Sequence, residues 1–577
     1  MTVSDRSEIV RRRLLWTALA AACGVGLLAM ASCRRTSTVT TNGPEKEECG
    51  TILESAVGMA QPLKLGLTTS IEGVVNRLND WRRSCPDSKK TAAALDPEAG
   101  KLLAKVLSKK ELAAMQSDLY DERDARHVRN SLVFVRVAQS VTAAAQSDLA
   151  QVVDVFYYVV RNVALVERKS GAAPRPVFRT LLFGEGTAAD RAWVFAAILR
   201  QLKFSAVVIS PRKATAAKDG RFVVGVLLQG KIYLFDTHLG LPVPAPDDDR
   251  STPLIRKPAT LALFNADPKI AASLSTGEFK YPFAAGDLKR PRVQLIGQRS
   301  QWSPRMKDLY LTGRARPEST TGSRGQAPNA ELFEELGGNQ GLIARVVEFG
   351  KGAVAREDVS IWPWPQQQMN AFANMNEQQR AEMANLERPF DVPRQVIVDK
   401  ETGKAAIDKT GRAVLGPQTR LQLKARIRQI MGEYDKAVTS YVSVQSQVST
   451  TLRDHPELPV AEKVTLARAY VDAGFWVGLC KFEQEDLDTA VGQFTKSIRE
   501  SRKWTPNASF LLALSYARQK KFASARTGLE PLTKVKLPQA HGYALLWQRW
   551  RSFGTAAPAG QNDECRNPND ESMTKPE

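Results

Sequence analysis

The sequence predicts a mixed α+β protein with a helical N-terminal region, an α+β core in which a buried helix lies on an antiparallel sheet, and a C-terminal helical array. Three observations carry this reading. Residues 183–243 join a glycine-punctuated turn to an apolar helix and then to apolar strands. Residues 49–168 place most apolar side chains at three- and four-residue spacing. Residues 419–554 hold a helical pattern that returns after 35 residues.

The central stretch is the most explicit. Gly184 and Gly186 supply a tight turn, Thr187 is a good N-cap, and Asp190, three residues on, can return the capping bond. The helix is therefore expected from about Ala188 to Leu202. Ala192 to Leu199 are consecutively apolar, which in a soluble protein means burial on most sides. The run S-A-V-V-I-S follows as a strand. Phe222–Leu228 and Lys231–Phe235 are rich in Val, Leu and Ile, and Gln229-Gly230 between them fits a hairpin turn.

The order G-E-G-T-A-A-D-R-A-W-V-F, I-L-R-Q-L, strand, then G-K-I-Y-L-F-D-T-H-L-G-L-P resembles the transglutaminase-like domain, a papain-like α+β fold. It is most similar to the variant found in large envelope proteins of planctomycete-type bacteria. The resemblance covers roughly residues 150 to 300. It implies a Cys at the first turn of the buried helix, where unpaired N–H groups and the helix dipole favour thiolate. It further implies a His on the following strand as base and an Asp after the hairpin to orient it.

This chain departs from that pattern where the chemistry would lie. Thr187, Ala188 and Ala189 stand around the nucleophile position, and no Cys occurs between Cys85 and Cys480. The His position falls near Arg221 to Val223, and an arginine stays protonated near neutral pH. Asp236 alone matches. Thr187 is read as a cap, with a nucleophile as the alternative that needs an activating base. His238 would share a strand face with Asp236, but L-G-L-P places it at a turn, as a solvated or structural His. Asp190 and Arg191 either face the cleft or cap and solvate the helix end. The residual cleft candidates are Thr187, Asp190, Asp236 and His238, with Arg191 and Trp193 as binding candidates.

Length and composition bound the rest. A chain of 577 residues holds two to four domains, and 43% hydrophobic with 25% charged residues is ordinary for folded protein. The net charge of +20 favours an anionic partner: acidic headgroups, anionic envelope polymers or nucleic acid. Nucleic acid is not expected, because no zinc-finger spacing or aromatic RNA-binding signature occurs. Residues 1–33 have the layout of a secretory signal, with Arg11 to Arg13 before the apolar run Leu14 to Met30. M-A-S-C resembles a bacterial lipobox, so Cys33 is the expected lipidation site, and a retained membrane anchor is the alternative. Either way the body is expected to lie outside the cytoplasm, held at a membrane of the cell envelope.

Cys49 and Cys85 can close a disulfide in an oxidising compartment, and Cys480 sits in an apolar helical pattern. No C-x-x-C or His/Cys cluster occurs, and with four His neither a metal site nor a cofactor is expected.

Along the chain, residues 34–48 read as a tether and 49–168 as helical, with Leu132 to Val137 open to helix or strand. The core domain is placed at 169–313, its later part from 254 read as short helices, and the acidic triplet Asp247 to Asp249 as a solvated loop. Residues 314–330 form a linker. Residues 331–418 are mixed, with Trp362-Pro363-Trp364-Pro365 as a packed linker or binding patch and a hairpin from Val396 to Val414. Residues 555–577 are expected to form a disordered tail.

The offset pattern in 419–554 resembles tetratricopeptide repeats, whose period is roughly 34 residues. Gly478 and Ala513 are small on first helices, Ala437, Ala490 and Ala525 on second helices, and Phe494 and Leu529 fill the grooves. That resemblance implies a face binding a protein or peptide; a hairpin domain that only packs is the alternative. The chain is thus expected to be a non-catalytic, envelope-anchored binding or scaffold protein. The competing expectation is a peptidase- or amidase-like hydrolase with a rearranged site.

Overall fold

Capping starts the central helix where the local chemistry requires it. The Thr187 hydroxyl accepts from the Asp190 amide, the Asp190 carboxylate accepts from the Thr187 amide, and the helix runs Ala188–Gln201. The computed structural model describes residues 45–85, 88, 95–212, 220–314, 330–392, 394–397 and 415–553. The signal, Cys33, most of the tether, the linker and the tail therefore lie outside the described residues. No helix among the described residues is long and apolar enough to cross a membrane.

Strand β1 (Ala164–Leu165) pairs in parallel with β2 (Glu185–Gly186), placing the glycine turn beside the end of helix Asp148–Asn162. The main sheet contains β3 (Ser205–Ser210), β4 (Val223–Leu228), β5 (Lys231–Asp236), β6 (Leu241–Pro242), β7 (Arg292–Leu295) and β8 (Val359–Ile361). Their order is β6-β5-β4-β3-β7-β8. All pairs are antiparallel except β7 with β8. Gln229 and Gly230 both have positive φ, 50° and 69°, the turn geometry that matches strand twist in a two-residue hairpin. Gly225 is required by packing, since a Cβ there would lie 2.5 Å from Ile209 Cδ1. Phe195 of the central helix meets Phe156 and Phe235 with ring centres 5.3 Å apart, which fixes the helix on the sheet.

Two expectations need correction here. Residues 254–313 hold helices Leu261–Ala266, Pro268–Ser273 and Pro304–Arg314, but also β7, which lies inside the sheet. The mixed region contributes β8 to the same sheet, so the sheet crosses the expected boundary at 314–330. Leu132 to Val137 belong to helix Glu122–Val141, which resolves that ambiguity as helix. β9 (Arg394–Val396) pairs antiparallel with β10 (Leu415–Gln418), flanking most of the expected hairpin, whose residues 398–414 lie outside the described ones.

The N-terminal region is helical, and Cys49 is bonded to Cys85 with their Cα atoms 5.6 Å apart. Its helices share a smaller core with helix Pro304–Arg314, including Leu78, Trp81, Tyr120, Met306 and Leu309. Arg82 crosses this core to Asp308 at 2.8 Å.

The C-terminal region is helical from Leu421 to Arg551, in seven consecutive helices among the described residues. Small residues sit where helices meet: Ala437, Ala490, Ala513 and Ala525 are fully buried, and a Cβ on Gly478 would lie 2.9 Å from the Phe494 ring. Cys480 is buried, as its apolar pattern predicts. This region is packed onto the α+β core. Arg161 forms a two-point ion pair with Glu483, Arg426 donates to the carbonyls of Leu181 and Leu182, and Arg549 pairs with Asp248 at 2.9 Å. The acidic triplet is therefore no simple solvated loop. Asp248 is buried, and it also accepts the amides of Arg256 and Lys257. From Glu47 onward the described residues form one compact unit.

Candidate functional site

The residues singled out by the sequence fall at two neighbouring places on the core. At the start of helix Ala188–Gln201 the Thr187 hydroxyl accepts from the Asp190 amide at 3.2 Å and donates to Asp190 Oδ2 at 3.0 Å. That oxygen also accepts from Arg168 Nη2 at 2.6 Å and from the Thr187 amide at 2.9 Å. Asp190 Oδ1 accepts from the Trp364 indole at 3.2 Å. Asp190 is fully buried, and both of its oxygens are in use. Thr187 therefore serves the helix end, and no described hydrogen bond links it to His238.

Arg191 points the other way, into the protein. Its guanidinium donates to the carbonyl of Val163 at 2.8 Å and to those of Thr237 and Val160 at 3.4 Å. Burial lowers its pKa to about 10, and no carboxylate pairs with it among the described residues. Trp193 is 3% exposed and belongs to the core.

Asp236 closes the second place. As the last residue of β5 it turns its Oδ1 back to accept the amides of His238 at 2.8 Å and Leu239 at 2.9 Å, an Asx turn. This confirms that His238 lies in a turn, with Asp236 bonded to its backbone. The His238 ring packs edge-on against Phe222, ring centres 5.0 Å apart. Burial, reinforced by the charge of Arg221, lowers the imidazole pKa to about 4, so the ring is neutral near pH 7. His238 Nε2, Thr237 Oγ1 and Arg221 Nε are buried and have no hydrogen-bond partner among the described residues.

Three participants escape sequence reading. Tyr281 approaches Asp236, and burial together with that carboxylate raises its phenol well above the ordinary value. Arg168 neutralises Asp190 from 22 positions away. Trp364 covers it from 174 positions away, and its ring stacks with Trp362, which packs on Phe222. The W-P-W-P stretch carried the one usable signal, and it is a packed wall linking both places. Arg221 stands where the expected base would be.

Among the described residues no group of His, Cys, Asp and Glu side chains is arranged to hold a metal ion. The Thr187 hydroxyl is bonded to a carboxylate already held by Arg168, and Cys480, the free cysteine among the described residues, lies in a helix of the C-terminal region, its thiol raised by burial. No family model matches this chain, and comparison with curated proteins and with solved structures finds no match.

Proposed function

We propose that this chain is a non-catalytic, envelope-anchored binding or scaffold protein, built from a degenerate transglutaminase-like domain and tetratricopeptide-like helical repeats that hold a protein or peptide partner. The observation that carries it is the closed set of bonds around Asp190, which commits Thr187 to capping and leaves the helix start without a nucleophile. A partner-binding role is supported by Val460 and Val464, 76% and 60% exposed and one turn apart on helix Val460–Glu483. The N-terminal signal with Cys33 accounts for anchoring, and the net charge of +20 suits an anionic envelope surface.

A hydrolase with a rearranged site is the second reading. It is favoured by the unpartnered Nε2 of His238 beside Asp236 and Arg221. The two readings separate in one assay. Wild type, His238→Ala and Asp236→Asn are incubated with envelope-derived peptides, and released amines are quantified. The scaffold reading expects no turnover by any of them; turnover by wild type that both substitutions abolish would replace it with the hydrolase.

A further inference from the structure

Helix Glu122–Val141 carries arginines at 123, 126 and 129, a three-residue spacing that puts them along one face. Arg123 pairs with Glu111 at 3.3 Å, and Arg126 pairs with Glu122 at 2.9 Å. On helix Val177–Phe183, Arg179 pairs with Glu387. Arg126 and Arg179 lie over one ring, that of Phe372 on helix Trp364–Ala373, with guanidinium carbons 5.8 and 4.5 Å from its centre. Arg129 stacks at 3.9 Å on Phe178, the residue next to Arg179. The two rings thus gather three guanidinium groups from two helices against a third, near enough for Arg126 and Arg179 to repel the charge of Arg129.

Arg129 differs from the other two. Its Nε and Nη2 both donate to the neutral amide oxygen of Asn130, at 3.2 and 2.8 Å, and no carboxylate pairs with it among the described residues. Arg126, Arg129 and Arg179 set three positive charges against Glu122 and Glu387, so one charge is left uncompensated. Burial and repulsion from Arg179 and Arg126 lower the Arg129 pKa to about 9, which marks how poorly the surroundings tolerate the lone cation. The side chain is half-buried and remains reachable from solvent.

We infer that Arg126, Arg129 and Arg179 form a binding site for a single phosphate-type oxyanion, free or carried on a lipid headgroup. A tetrahedral anion offers oxygens in several directions and suits donors arriving from different helices, whereas a planar carboxylate is matched by one guanidinium fork. The Phe178 and Phe372 rings hold the guanidinium planes in place. This site stands apart from Asp190 and Asp236 and does not depend on the proposed scaffold function.

The test uses the full chain. Sodium phosphate is titrated calorimetrically at constant ionic strength set with chloride, and sedimentation is measured with phosphatidylcholine vesicles with and without phosphatidylglycerol. Saturable one-site binding of inorganic phosphate, weakened at least tenfold in Arg129→Gln and Arg126→Gln and less in Arg129→Lys, assigns a free anion. Vesicle binding alone, weakened at least tenfold by the same two Gln variants, assigns a headgroup. Binding that neither Gln variant changes, or none in either arm, overturns the site. Circular dichroism of each variant separates lost binding from lost fold.

Discussion

The Trp364 indole donates to Asp190 Oδ1 at 3.2 Å, tying the start of the central helix to a residue 174 positions later in the chain. The same carboxylate holds Arg168, a half-buried cation that keeps no other carboxylate within ion-pair reach among the described residues. Asp190→Ala should destabilise the fold by about 3–5 kcal/mol, because it removes the cap and strands Arg168. Trp364→Phe keeps a smaller aromatic ring and loses the indole bond, about 1 kcal/mol for that bond. Urea midpoints measure both, and a shift for Asp190→Ala no larger than that for Trp364→Phe would contradict a structural role for the carboxylate.

Arg161 and Glu483 join the core to the helical array through two bonds of 2.8 and 2.9 Å, both side chains nearly buried. Removing one partner leaves a charge with little water, so Glu483→Leu should cost about 3 kcal/mol and Arg161→Met/Glu483→Leu less than either single change. Core and array should also unfold in one transition. Separate transitions by tryptophan fluorescence and circular dichroism would show that the array is an independent module.

Gly542 admits no side chain. A Cβ there would sit 1.9 Å from the Leu239 carbonyl oxygen, a backbone atom held in the turn that Asp236 makes. Gly542→Ala should therefore push helix Ala540–Arg551 off the core, at a cost of about 3 kcal/mol. Limited proteolysis should cut near residue 540 in the variant and spare wild type; equal resistance would mean that the turn yields.

His127 sets an acid limit. Its Nε2 lies 3.1 Å from the Leu332 carbonyl and its Nδ1 lies 3.0 Å from the Gln298 amide nitrogen, an arrangement that suits the neutral ring protonated on Nε2. Burial, with the charge of Arg200, lowers its pKa to about 4, against about 6.5 in an unfolded chain. Between those values the unfolded state binds more protons. Stability is therefore full above pH 6.5 and falls as pH drops toward 4, by roughly 2–3 kcal/mol from this residue. Urea midpoints at pH 7, 5.5 and 4.5 should show a shallower decline in His127→Gln than in wild type, and parallel declines would rule the residue out.

Reduction of Cys49–Cys85 gives a further check. The bridge spans 36 positions, and opening a loop of that length should cost about 3–4 kcal/mol through unfolded-chain entropy. Cys85→Ser should lower the thermal midpoint as much as reduction lowers that of wild type. A variant as stable as the oxidised protein would show that the helices Glu45–Met59 and Ile71–Ser84 need no staple.

What could be read from the sequence was local. The Thr187–Asp190 capping box spans four residues, the Gln229-Gly230 turn two, and the apolar face of the central helix lies within one segment, so all three were visible. β7 and β8 were not, because Arg292–Leu295 and Val359–Ile361 are too short to show a period and pair across a long intervening stretch. Burial of Asp248 was hidden for a related reason: its partner Arg549 lies 301 positions away, and nothing in P-A-P-D-D-D-R distinguishes a paired aspartate from a wet one. At the candidate site the types were legible and the commitments were not. Asp190 and Arg191 are adjacent, yet one faces Trp364 and the other the carbonyls of Val160 and Val163, a difference set by the helix turn and by segments far along the chain.

The function proposed for this chain is partner binding through its helical array. Capture from envelope extract tests it most directly, with the full chain compared against Val460→Asp/Val464→Asp, two exposed positions whose substitution should leave the fold within about 0.5 kcal/mol of wild type. The account predicts at least one protein, identified by mass spectrometry, that wild type retains and the double variant loses. Identical capture by both, with the variant folded, would contradict binding through this face of the helical array.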